Sequence, residues 1–175
     1  MIMSDSEIKK NLFSKILGCD TADKIRDLIE GESYFTQGKW LPYGGFTNNS
    51  GTINGQMREP ENSLIEKITN SIDAILMRKC MEEGIDPKDQ TNSPKDMEEA
   101  IKRYFGGRDE IRKKRSAFAK EMIRLTAEGR KDKPTITIID RGEGQTPDEI
   151  SKTILSLQKE IKKKIRFVYG TYNQG

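Results

Sequence analysis

At 175 residues the chain has room for one domain with its own core, or for part of a larger one, but not for two full domains. With 33% hydrophobic and 34% charged residues the core must be thin, and 31 basic against 28 acidic residues nearly cancel to +3, far from the bias of a dedicated nucleic-acid binder. The absence of histidine excludes a His-based triad, a His metal ligand and a phosphoacceptor His within this chain, and two cysteines form neither a disulfide framework nor a zinc cluster.

The chain start lacks an apolar signal-peptide core, and no run approaches the roughly 18 apolar residues that span a bilayer. A cytoplasmic protein with no membrane partner is expected, with Cys19 and Cys80 as small buried apolar residues. Ser4 or Asp5 can cap a first helix to about Leu17 that turns Ile8, Leu12, Phe13 and Ile16 to one side and stops at Gly18. A second helix runs from about Thr21 to Glu30, with Ile25, Leu28 and Ile29 inward. Residues 33–60 are rich in glycine and hold Trp40, Tyr43 and Phe46, which suits an ordered loop or strap rather than a linker.

Pro60 suits the first turn of a long helix to about Met81, striped by Ile65, Ile68, Ile72, Ile75 and Leu76. A polar, turn-rich stretch then leads into a charged helical region from about Met97 to Glu128, broken at Gly106 and Gly107. Residues 134–140, PTITIID, form the one convincing strand, too apolar on both faces for a surface ribbon. After the RGEGQ turn, Thr146 caps and Pro147 opens a helix bearing Ile150, Ile154 and Leu157.

Two groups of residues carry chemistry. On the long helix, Glu66, Asn70 and Asp73 stand at i, i+4 and i+7 and share one stripe. A carboxylate there can take a proton from attacking water, and an amide oxygen one turn on is a hard ligand suited to Mg²⁺. The same spacing also describes a solvated helix face. The second group is Asp140-Arg-Gly142-Glu-Gly144, placed where the strand ends. Glycines beside a terminal carboxylate let the backbone pass close to a ligand, although an ordinary strand-to-helix turn would look alike. Neither a dinucleotide-binding G-x-G-x-x-G nor a P-loop is present.

Together these residues resemble the GHKL, or Bergerat-fold, ATPases, the family of gyrase, mismatch-repair, sensor-kinase and heat-shock-chaperone ATPase domains. Glu66 to Ala74, EKITNSIDA, is similar to that family's N box, E-x-x-x-N-x-x-D-A, and Asp140 to Gly144 to its D-x-G-x-G box. The resemblance implies an α/β fold: a two-layer sandwich of helices on a mixed sheet, incomplete and helix-rich in this portion. It implies ATP as ligand, Mg²⁺ as cofactor, Glu66 as general base and Asn70 as metal ligand. It implies further that Asp140 accepts from the adenine amino group, that Gly142 and Gly144 line the base pocket, and that Asp73 serves the nucleotide site or holds structure nearby. The ending, Gly170 to Gly175, resembles the start of the glycine-rich ATP lid, whose N–H groups would cradle phosphates.

On this reading residues 1–56 are N-terminal helices and an aromatic strap, and 57–175 an ATP-binding domain with a charged helical insertion at about 85–133. The chain is expected to break off within the lid and to be inactive as it stands, with further strands after Gly175 or near Tyr34 and Thr52. A homodimer or larger complex is expected. A nucleotide-gated binding or dimerisation module with little hydrolysis remains open. So does a DNA-associated protein using the excess of Lys and Arg in residues 101–133, although a solvated helix accounts for that excess too. A Lys or Arg of residues 161–166, IKKKIR, could reach phosphate, and the sequence does not say which.

Overall fold

The structure is a computed structural model and describes residues 4–37, 40, 42, 60–150 and 162–169. The chain is mixed α/β and helix-rich, with one two-stranded antiparallel sheet. Its elements are α1 (Asp5–Leu17), α2 (Ala22–Gly31), α3 (Ser33–Thr36), α4 (Pro60–Glu82), α5 (Met97–Phe105), α6 (Arg108–Lys113), α7 (Arg115–Glu121), β1 (Ile123–Arg130), β2 (Lys133–Asp140) and α8 (Pro147–Ile150). They form two compact units, Met1–Trp40 with Leu125–Thr137, and Leu41–Arg124 with Ile138–Gly175. The expected boundary at residues 56 and 57 lies outside the described residues.

In the first unit, Ser4 and Glu7 form a capping box that satisfies the opening N–H groups of α1, and Thr21 caps α2 by accepting from the Lys24 N–H. Leu12 is buried, but Phe13 is 62% exposed, so the apolar face expected of α1 is only partly covered. The Ala22 N–H donates to Thr135 Oγ1 at 2.9 Å, joining the start of α2 to the outer part of β2. A strand near Tyr34 was expected, but Ser33–Thr36 coils into α3 because the Phe35 and Thr36 N–H groups turn back to the Glu32 carbonyl. Trp40 stacks on Phe35 and donates its indole N–H to the Phe35 carbonyl. Tyr43, Phe46 and Thr52 lie outside the described residues.

The second unit is built on α4, whose bounds match the sequence expectation. Leu76, Met77 and Cys80 face Ala100 of α5, together with Ile165 and Phe167 from the C-terminal segment, and these six residues form the core. Cys80 is fully buried, whereas Cys19 is only partly so, which corrects that part of the expectation. A cavity of about 520 Å³ lies on the apolar side of α4, lined by Ile72, Ile75, Phe105, Phe118 and Met122 among others. It is a mark of how thin the packing is.

Residues 85–133 are not a single helical insertion. α5 is capped by Asp96 and ends at Gly106, which is left-handed; the break there is the one the sequence suggests, and two short helices come after it. The chain from Ile123 to Arg130 then becomes β1 rather than more helix, and pairs with β2 through a two-residue turn. β2 is more open than its composition implies. Ile136 and Ile139 are 47% and 54% exposed, in a strand that has one neighbouring strand among the described residues.

Candidate functional site

α4 and the end of β2 are brought together at residues 71–74 and 140–143. Ser71, one residue after Asn70, donates its hydroxyl to Asp140 Oδ2 at 2.9 Å. The Gly142 N–H donates to Asp140 Oδ1 at 2.8 Å, so each carboxylate oxygen holds one protein hydrogen bond and keeps further acceptor capacity. Asp140 itself remains exposed.

The backbone after Asp140 lies directly on the helix. The Glu143 N–H donates to the Ala74 carbonyl at 3.2 Å, the Arg141 N–H to the Met122 carbonyl at 2.9 Å, and Arg78 Nη1 to the Arg141 carbonyl at 2.9 Å. A Cβ on Gly142 would stand 2.3 Å from the Ala74 Cβ, a contact no side chain survives. Glycine is therefore required there by close approach. At Gly144 the requirement differs: φ is +67°, and the space around a Cβ would be open. The small residue at the end of the helix motif and the first glycine of the turn motif are thus two halves of one contact.

The polar stripe of α4 is arranged around a cation supplied by the chain. Lys162 Nζ donates to Asn70 Oδ1 and to Asp73 Oδ2, each at 3.1 Å. Asp73 is fully buried, and its other oxygen accepts the Tyr169 N–H at 2.8 Å. Both Asp73 oxygens thus carry protein donors, and the residue ties the C-terminal segment to α4. Glu66 is half-buried and has no ion-pair partner among the described residues. The Glu143 carboxyl, although the residue keeps much of its surface, is pushed above the usual carboxylate range by partial burial; Lys162 and Lys88 oppose that shift and Glu149 adds to it.

Lys162 is the residue that sequence reasoning did not single out. It sits in a run of four basic residues within 162–166, and nothing in that run marks one lysine from the next. Its place comes from packing around it. Ile165 and Phe167 are buried in the core, Gln90 Nε2 donates to the Lys164 carbonyl at 2.6 Å, and Arg166 Nη2 donates to the Gln90 carbonyl at 2.6 Å. The turn-rich loop that carries Gln90 is itself fixed by Asp89, whose carboxylate accepts from Asn92 and from the Thr91 N–H; these bonds hold its pKa below the usual range.

The Asn70 and Asp73 oxygens hold the Lys162 ammonium between them. No group of three acidic or thiol side chains able to hold a metal occurs among the described residues, so a metal at Asn70 would take most of its ligands from water and phosphate, the habit of Mg²⁺. The basic excess of residues 101–133 is partly neutralised locally, with Arg103 paired to Glu83, Arg108 to Glu98 and Lys113 to Glu110. Gly170 and Gly175 lie outside the described residues. No helix is long and apolar enough to cross a membrane among the described residues. Comparison of the chain with models of known families, with curated proteins and with solved structures gives no match.

Proposed function

We propose that this chain is the nucleotide-binding part of a GHKL-type ATPase, binding ATP with Mg²⁺ and hydrolysing it on a two-layer α/β fold. The observation that carries the reading is the junction of two motifs far apart in sequence: Asp140 hydrogen-bonded to Ser71, and Gly142 seated on Ala74. Neither contact is implied by the motif spacings, and together they put a carboxylate with spare acceptor capacity beside the helix that bears Glu66 and Asn70.

The roles rest on chemistry. Asp140, oriented by Ser71 and the Gly142 N–H, accepts from the exocyclic amino group of adenine; Gly142 lets the turn sit on Ala74, and Gly144, with open space around it, leaves room for the flat base. Asn70 offers a neutral oxygen to the cation that accompanies the triphosphate, and that cation would neutralise charge on the phosphates. Glu66, one helical turn before Asn70 on the same stripe, takes the proton of the attacking water. Assembly as a homodimer or larger complex, and a cytoplasmic setting, belong to the same proposal.

Glu66→Ala separates binding from chemistry. In the full-length protein the variant should bind ATP as the wild type does while turnover falls on the order of 10²–10⁴-fold, the usual loss with a general base. Calorimetry and phosphate release measure the two quantities. Unchanged turnover would remove Glu66 from the mechanism, and a wild type that binds ATP without turning it over would leave a nucleotide-gated binding module.

A further inference from the structure

Asp73 is fully buried, and a buried carboxylate without a counter-charge costs several kcal/mol. Lys162 supplies it, and the same ammonium takes the Asn70 oxygen, with both distances 3.1 Å. An ammonium and a divalent cation seek the same oxygens and repel one another at short range, so they compete for this pair. We infer that Lys162 is a positioning residue that holds Asn70 and Asp73 in the cation-free site, and that the divalent cation entering with a nucleotide must displace its ammonium. This rests on the nucleotide reading above.

The structure makes such an exchange local. The Lys162 backbone is held by a turn in which the Ile165 N–H donates to its carbonyl at 2.9 Å, and the buried Ile165 and Phe167 anchor the chain beyond that turn. The side chain is a flexible four-carbon stem that keeps 23% of its surface, so its head can leave for water while the backbone stays. Asp73 keeps the Tyr169 N–H after the exchange, and the incoming charge replaces the one withdrawn.

The test is calorimetric titration of AMP and of ATP, each with Mg²⁺ and with EDTA, into full-length wild type and Lys162→Met. AMP carries the base but no triphosphate, and its affinity should be equal in both proteins. The gain in ATP affinity on adding Mg²⁺ should be about tenfold greater in Lys162→Met, which no longer has a charge-assisted bond to break. An equal or smaller gain overturns the inference. So does an ATP affinity that falls alike with Mg²⁺ and with EDTA, which would make Lys162 a phosphate ligand. A wild type that binds no AMP would instead contradict the nucleotide reading, and the inference with it. Because Asp73 is buried and the variant risks misfolding, acetylation of Lys162 in the wild type gives a second measurement by mass spectrometry. The rate should rise with ATP and Mg²⁺ relative to ATP and EDTA, and an unchanged or lower rate overturns the inference.

Discussion

Gly142 carries the closest approach in the site, with the Ala74 Cβ 2.3 Å and its carbonyl carbon 3.0 Å from where a Cβ would stand. Substitution by alanine must push the turn off α4 or bend the helix. Gly142→Ala should therefore cost about 1–3 kcal/mol of stability, the usual range for overpacking, and should weaken any ligand of Asp140 as well. Urea unfolding checks the first effect, and a variant as stable as wild type would mean that the turn does not rest on the helix. At this scale Asp140, Gly142 and Ala74 were legible because each motif is contiguous and its spacing survives any fold. Lys162 was not, because it meets Asn70 across 92 positions of sequence and only packing selects it from its basic neighbours.

Among the elements, α4 was readable nearly to the residue, since Pro60 opens it and its apolar residues recur at helical spacing. β1 was not. Its sequence, IRLTAEGR, mixes residues of both propensities and comes after a long charged helical pattern; pairing with β2 decides its conformation. The loop between α4 and α5 and the segment 162–169 lack periodicity, yet they place Lys162 and the Tyr169 N–H at Asp73. Phe167 fastens that segment, being fully buried against the α4 core. Phe167→Ala should cost about 3–5 kcal/mol by denaturant unfolding. A loss below about 1 kcal/mol would show that the segment is not anchored there, and the position of Lys162 would lose its explanation.

For the whole molecule, composition pointed rightly to a thin core, and the α/β class that the resemblance implies holds in its coarse form, a mixed, helix-rich chain. Eight hydrophobic residues are buried among those described, and Ile136, Ile139 and Leu125 stay open on the hairpin, so the sheet layer that the resemblance implies is not formed by the described residues. That layer could not be read from sequence either, for residues 134–140 alone have the short, β-branched, apolar character of a strand. The functional account thus stands on the junction of two motifs, and above all on Asp140 as the base-reading carboxylate. Titration of ATP and GTP into the full-length wild type and Asp140→Asn is the most direct test. The account expects ATP to bind in preference to GTP. It also expects a loss of roughly 10- to 150-fold for ATP in the variant, the value of one charge-assisted hydrogen bond of about 1.5–3 kcal/mol. Equal binding of ATP and GTP by the wild type, with the variant no weaker for ATP, would contradict it.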